Sequence, residues 1–352
     1  MDRGLLIGDK RTKLPIVQGQ MAMEVSLEPL AGAVAALGGV GLIAGTGLIR
    51  AGKPAENLIQ RIREGRKLAG GGALGVGIMY VVSQFDEILN CCIREKVDLV
   101  VIGAGFAREP FQRLAAAGIP AWAIISSVKL ASIVCRVPGI TGVVIESGEA
   151  GGHLGPKDPT VSIWDLFPPV YRTLRDGGFR GTIVAAGGLR YGWEIRRLME
   201  MGADGVQLGT LFAMTEESSA SPEMKQAWLR SRGSQVTHIS PVGLPSRAII
   251  EQSLEELPKL PPSPRACIDC LKICAHRDDR SQKHCIFRSL VNAVSGRLRF
   301  DDDGKVANGL VFTGSRVGEI DDIVPVAKRI ENLLDEMKEG SRAPAGVQGR
   351  TT

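Results

Sequence analysis

The stretch Gly142-Val143-Val144-Ile145-Glu146-Ser147-Gly148-Glu149-Ala150-Gly151-Gly152-His153-Leu154-Gly155 concentrates proton-transfer chemistry. It holds two carboxylates, five glycines and one of the chain's four histidines. Gly142 to Ile145 is an apolar, β-branched run that reads as a buried strand. The loop after Glu146 is too rich in glycine to serve packing. Glycine lets backbone approach a ligand closely, and an imidazole beside it exchanges protons near neutral pH. A histidine that merely caps a loop is the bland alternative, and glycines on both sides weigh against it. Glu149 reads equally well as a carboxylate bonding loop N–H groups.

Two further groupings carry chemistry. Ala185-Ala186-Gly187-Gly188-Leu189 and Gln207-Leu208-Gly209-Thr210 each end an apolar run in glycine and open a helical pattern. Backbone N–H groups exposed in such turns bind anions, and two turns on adjacent late strands form a phosphate site. One alone would read as a tight turn. The other grouping is Cys267-Ile268-Asp269-Cys270-Leu271-Lys272-Ile273-Cys274, then Cys285, with His276 and His284 nearby. Four thiols suit tetrahedral ligation of zinc or an iron–sulfur cluster. The spacing is not that of a common zinc ribbon, and reduced cysteines packed in a small subdomain are the alternative. Cys91, Cys92 and Cys135 fall on helical patterns and read as core.

The elements that must position these groups alternate. Strand signals lie at Pro15–Gln18, Val40–Ala44, Leu74–Ile78, Leu99–Ile102, Ala121–Ile125, Gly142–Glu146, Thr182–Ala186 and Gly205–Leu208. Amphipathic segments separate them, at Leu27–Leu37, Pro54–Leu68, Gln84–Glu95, Glu109–Ala117, Val128–Cys135, Ile163–Asp176 and Trp193–Met201. Such a succession of near-continuous apolar strands predicts an α/β fold, a (β/α)8 TIM barrel. An open doubly wound sheet would show a glycine fingerprint at its first strand; here that strand leads into Gln18-Gly19-Gln20-Met21-Ala22. The barrel is expected over residues 1–235, its last part a helix at Met214–Arg230. Residues 236–338 form a lid and cysteine-rich region. Within it Ser240–Ala248 reads as a loop, Ile249–Leu257 as a helix and Lys259–Pro264 as a proline linker. Phe287–Val294 and Ile320–Lys338 read as helices. Residues 339–352 read as a disordered tail.

Composition narrows the class. With 44% hydrophobic and 23% charged residues the chain can bury a good core. Aromatics at 5% argue against a base-stacking surface, and a net charge of +5 is too small to demand nucleic acid or a membrane. The start is polar, and no apolar run is long enough to span a bilayer. A cytoplasmic location is expected, with reduced or metal-bound cysteines.

Several pieces occur in a recognisable order: Pro15-Ile16-Val17-Gln18-Gly19 with Met21-Ala22, Gly75-Val76-Gly77-Ile78-Met79, Gly103-Ala104-Gly105, Glu146 with Glu149 to Gly155, Ala185 to Leu189, and Gly202 to Thr210. Together they resemble the flavin-dependent family that contains nitronate monooxygenases and the flavin-type enoyl-acyl-carrier-protein reductases. The resemblance implies FMN. Its phosphate would sit on the backbone of Gly187, Gly188, Gly209 and Thr210, beside Ala186. Met21 and Ala22 would face the isoalloxazine through backbone. Gln18, Glu146 and Gln207 would reach its polar edges, Gly151 and Gly152 would admit it, and Ser127 and Gly77 would lie nearby. Many relatives carry Asn where this chain has Gly77, so one flavin hydrogen bond is missing. His153 is implied as the catalytic residue. Ser240–Ala248 would close over the flavin, with Arg247 toward an anionic ligand or simply at the surface. A subset of bacterial relatives shares a cysteine string ending in Cys-Ile, as at Cys285-Ile286, which does not name a metal.

The expected protein is an FMN-dependent oxidoreductase that oxidises alkyl nitronates with oxygen. The alternatives are an NAD(P)H-dependent enoyl-thioester reductase and an NAD(P)H:quinone-type reductase; a flavin and metal redox sensor is disfavoured by intact His153. The expected partner is a small molecule, with no nucleic acid and no membrane, and the oligomeric state is open, a homodimer included.

Overall fold

The computed structural model describes residues 4–48, 54–259, 267–274 and 285–339. Eight parallel strands close into a barrel: β1 Ile16–Gln18, β2 Val40–Ala44, β3 Ala73–Met79, β4 Leu99–Gly103, β5 Ala121–Ile125, β6 Gly142–Glu146, β7 Thr182–Ala186 and β8 Gly205–Leu208. Closure is made by β8 on β1, with Val206 opposite Ile16. The strands are apolar on both faces because both are covered. Val17, Leu42, Val101, Trp122, Val144 and Val184 fill the barrel interior. Ile16, Ile43, Val76, Val100, Ile145 and Val206 pack outward against the helices. This period-2 alternation decides which strand-end residues open into the mouth. A short hairpin, Leu6–Ile7 with Lys10–Arg11, plugs the opposite end, and Leu5 and Ile7 join the interior cluster.

The ring of helices comprises α1 Glu28–Ala36, α2 Pro54–Ala69, α3 Phe85–Glu95, α4 Glu109–Ala116, α5 Val128–Val134, α6 Ile163–Asp176 and α7 Gly192–Glu200. These strands and helices stand where the hydrophobic periodicity puts them, with ends shifted by one or two residues. Among the described residues, no helix is long and apolar enough to cross a membrane.

Beyond β8 the chain departs from expectation. The helix expected at Met214–Arg230 is shorter, α9 Pro222–Arg230, and a separate four-residue helix, α8 Thr210–Ala213, precedes it. Ser221 caps α9, its Oγ accepting from the Met224 N–H at 3.2 Å, and Pro222 occupies the first turn. The helix expected at Ile249–Leu257 is instead the end of a strand, Ser246–Ile249, followed by turns. That strand pairs antiparallel with Ser234–Thr237 and with Gly152–His153. After α10, Ile286–Val294, the last helix α11 runs from Val326 to Glu339 rather than from Ile320. Pro325 precedes its first residue, and a residue before proline avoids the helical region.

Helix α11 corrects the expected division at residue 235. It packs against α7 and α1, so the barrel's ring is completed from the far end of the sequence. A Cβ on Gly192 would lie 2.0 Å from the Leu333 carbonyl oxygen, which fixes how closely α7 and α11 approach. Arg329 is buried in this contact and donates to Asp322 Oδ1 at 2.6 Å and to the Met214 carbonyl at 3.3 Å. The residues between α9 and α11 are therefore an insertion within the barrel. Residues 260–264 of the proline linker and residues 340–352 of the tail lie outside the described residues.

Leu333 is 1% exposed. Leu333→Ala is expected to lower stability by about 2–5 kcal/mol and to shift the whole urea transition measured by circular dichroism. A variant that loses only a minor early phase would place α11 outside the barrel's cooperative unit.

Candidate active site

His153 is held by the inserted sheet. It pairs with Ser246, and Gly152 pairs with Arg247. The imidazole Nε2 lies 2.6 Å from Ser240 Oγ, and the ring meets Phe312 edge-on at 5.5 Å. Burial pushes its pKa down to about 4, so the ring is neutral at physiological pH. Arg247 anchors the same sheet. Its guanidinium donates to the carbonyls of Gly148 at 2.8 Å and Pro159 at 2.9 Å and to Ser234 Oγ at 3.1 Å. It is buried and fully engaged, so the expectation that Arg247 faces an anionic ligand is replaced by a structural role.

Strand parity sorts the other expected residues. Val144 faces the interior while Val143 and Ile145 face helices, so Glu146 points into the mouth. Burial pushes its carboxyl up to about 7. Gln207 lies between outward Val206 and Leu208 and also faces inward; its Oε1 is buried without a partner. Gln18 shares the outward face of Ile16. Its Nε2 donates to Ser26 Oγ at 2.7 Å and its Oε1 accepts from the Leu42 N–H at 3.1 Å. It therefore ties β1 to β2 and the loop before α1 and does not reach the mouth.

Two residues later, Gln20 does. A Cβ placed on Gly77 would lie 2.3 Å from Cβ, Cγ and Cδ of Gln20, so this side chain lies directly over the third strand. Its Oε1 is also buried and unpartnered. Met21 and Ala22 follow half-buried, and the Met21 carbonyl accepts from the Ser26 N–H at 3.1 Å. The next two residues, Met23 and Glu24, adopt positive φ of 58° and 65°. Consecutive non-glycine residues in that region mark a strained exit, a feature that clusters at functional sites.

The late turns form an anion cradle. Ala186 ends β7 facing inward. Gly187 and Gly188 both have positive φ, 97° and 69°, and their N–H groups and that of Gly209 have no protein acceptor among the described residues. The loop 312–316 covers this end. The Gly314 N–H donates to Thr210 Oγ1 at 2.8 Å, and a Cβ on Gly151 would lie 2.7 Å from the Thr313 carbonyl carbon. Arg316 donates to Glu194 Oε1 at 2.7 Å and to the Gly188 carbonyl at 3.4 Å. Glu149 Oε2 accepts from the Ile163 N–H at 3.3 Å, and its Oε1 accepts from Ser315 Oγ at 3.4 Å. Burial raises its pKa while Arg316 and Arg247 oppose the shift; its role is to bond the loop. Ser127 caps α5, its Oγ accepting from the Leu130 N–H at 3.2 Å. Ser240 lies in the loop Ser240–Ala248 expected to cover the site, though nothing marks its side chain as a partner of His153, and Phe312 and residues 313–316 carry no signal in the sequence because they arrive from a distant segment without periodicity. Gln20 stands in the first-strand motif, but nothing there marks its side chain.

The cysteine segment meets the mouth by backbone. The Ser83 N–H donates to the Cys270 carbonyl at 3.2 Å and the Lys272 N–H to the Val81 carbonyl at 2.7 Å, beside the exit of β3. Cys270 and Cys274 turn toward the core, whereas Cys267 and Cys285 are exposed. Burial first, then Cys285, Cys274 and Cys267, pushes the Cys270 thiol up to about 12. Among the described residues no three His, Cys, Asp or Glu side chains are placed to hold a metal ion together. The zinc or iron–sulfur site expected at Cys267, Cys270, Cys274 and Cys285 is thus not assembled. His276 and His284 lie outside the described residues. Cys91 and Cys92 are buried core residues of α3.

Known proteins share this architecture. The nitronate monooxygenase family profile matches residues 52–336. Among curated relatives, (3aS,4S,5R,7aS)-5-hydroxy-7a-methyl-1-oxo-octahydro-1H-indene-4-carboxyl-CoA dehydrogenase of Rhodococcus jostii is 32% identical over 177 residues, 50% of this chain and 47% of that protein. Nitronate monooxygenase of Pseudomonas aeruginosa is 32% identical over 165 residues, 45% of this chain and 46% of that protein. The matches thus span about half the length of these relatives. Among solved structures, FabK from Thermotoga maritima superposes with a TM-score of 0.75 at 28% identity, covering 93% of this chain and 94% of that one.

The two half-buried titratable groups at the mouth bias stability in opposite pH directions. Glu146 has its folded pKa raised from 4.5 to about 7, so its contribution is full below pH 4.5 and is lost as pH rises through 7. His153 has its folded pKa lowered from 6.5 to about 4, so its contribution is lost as pH falls from 6.5 to 4. Glu146→Gln, neutral at every pH, is expected to raise the urea midpoint at pH 8 and leave it unchanged at pH 4.5. Equal effects at both values would remove burial as the cause.

Proposed function

The chain belongs to the nitronate monooxygenase family, and we propose on that footing that it is an FMN-dependent oxidoreductase that oxidises alkyl nitronates with oxygen. The residues at the mouth fit the cofactor. The unsatisfied N–H groups of Gly187, Gly188 and Gly209 suit its phosphate. The inward carboxamide of Gln207, with an unpartnered oxygen, suits the polar edge of the ring. Bound there, FMN would supply the electron acceptor that later meets oxygen.

The observation that carries the nitronate reading is the neutral, fixed imidazole of His153. Ser240 engages Nε2. A hydroxyl donating to that nitrogen selects the tautomer protonated at Nδ1. In that tautomer Nδ1–H would donate to an oxygen of the bound nitronate and orient it. A nitronate is already an anion, so no base with a high pKa is required, and a site that burial keeps neutral serves it. Phe312 packs edge-on against the imidazole and the inserted sheet partly covers it.

A second reading, reduction of an enoyl thioester with NAD(P)H, is favoured by Glu146. A carboxyl with a pKa of about 7 can deliver a proton to carbon at neutral pH, which neutral His153 does poorly. The similarity to FabK and to a dehydrogenase of a carboxyl-CoA substrate points the same way.

Anaerobic mixing separates the readings. Bleaching of the flavin band by an alkyl nitronate and not by NADH or NADPH is the expected result; the reverse selects the reductase. His153→Ala is expected to keep FMN and to lose about 10²–10⁴-fold in kcat, with Ser240→Ala losing less. Unchanged turnover in His153→Ala would end its catalytic role.

A further inference from the structure

We infer that Gln20 is the flavin-positioning side chain that stands in for the one missing at Gly77, an inference that rests on the FMN reading. The family resemblance implies an Asn carboxamide at this third-strand position in many relatives. In this chain the third strand is bare: Ala73 faces the interior, and by the same parity Gly75 and Gly77 do so as small residues. The space is filled from the first strand's exit. Gln20 lays its whole aliphatic stem over Gly77, so close that any Cβ there would sit 2.3 Å from three of its carbons. Real Cβ atoms do not approach that closely, so Gln20 in this position and a side chain at residue 77 exclude one another.

The carboxamide thus carried to the third-strand position has a buried oxygen without a donor. An unsatisfied buried acceptor costs about 1–3 kcal/mol unless a ligand completes it. Oxidised isoalloxazine offers one N–H, at N3, flanked by two carbonyl oxygens. A carboxamide matches that edge with one acceptor and two donors, whichever way its oxygen and nitrogen are assigned. The same group therefore serves the flavin from a different strand, with glycine at residue 77 as the condition for it. Gln20 is accordingly a positioning residue, and the strained exit at Met23 and Glu24 begins three residues after it.

The test compares three variants of the full chain. FMN affinity is read from the flavin fluorescence released on dilution of the holoprotein, and folding is read by circular dichroism. Gln20→Met keeps the cover over Gly77 and removes both polar atoms. It is expected to raise the FMN Kd roughly three- to tenfold, the effect of one lost hydrogen bond, and to shift the flavin absorption bands. Gly77→Asn alone is expected to lose FMN or to fold poorly. Gln20→Gly with Gly77→Asn, which also removes the Cβ of residue 20, is expected to return the Kd to within about threefold of the parent. A Gln20→Met protein with parental Kd and bands overturns the inference, as does a folded double variant that binds no better than Gln20→Met. If the parent chain itself binds no FMN, the cofactor reading fails first, and that result is distinct from either.

Discussion

The active face depends on one short pairing, two residues long: Gly152 and His153 against Arg247 and Ser246. A glycine-rich loop of this kind has little conformational preference of its own, and ordering it costs backbone entropy. The inserted sheet removes that freedom. Arg247 then fastens the sheet to the loop by donating to the carbonyls of Gly148 and Pro159. A buried guanidinium is tolerable because its donors are engaged by oxygens in a fixed fork. The catalytic candidate is thus positioned by a segment roughly ninety residues downstream, and that segment by a buried cation.

Partial burial at the mouth acts on both titratable groups alike. Burial disfavours charge, so it raises Glu146 and lowers His153. Neither has a charged neighbour that reverses this. The arginines that could have done so are occupied elsewhere, Arg247 on backbone and Arg316 on Glu194 and Glu319. The backbone turns at Gly187, Gly188 and Gly209 leave N–H groups without a backbone acceptor among the described residues, dipoles of the kind that attract anions.

Much of the barrel is legible in the sequence because its strands are short, apolar runs bounded by glycine or polar turns, and its helices carry a clear apolar stripe. The loops at the sixth, seventh and eighth strand ends are legible for the same reason, since glycines cluster where backbone must be bare. Strand parity is not. When both faces of a strand are buried, alternation of polarity vanishes, and nothing in Ile16-Val17-Gln18 marks which residue faces inward. On that account the motif directs Gln18 to the mouth and leaves Gln20 unmarked. The insertion is illegible where turn chemistry competes with periodicity: Ile249 to Leu257 has helical spacing, yet its start is drawn into a sheet by partners at Ser234 and Gly152.

By itself, then, the chain's order of residues determined an eight-stranded α/β barrel, a histidine in a glycine-rich loop and a pair of glycine turns at the late strand ends. These are local consequences of periodicity and of glycine's freedom. Tertiary structure alone decided the rest. It brought α11 back from the end of the chain to complete the helical ring, because α7 presents Gly192 and so admits a backbone close by. It occupied Arg247 and laid Gln20 over Gly77. Each of these depends on which surfaces meet across long sequence separations, and such meetings leave no period to read.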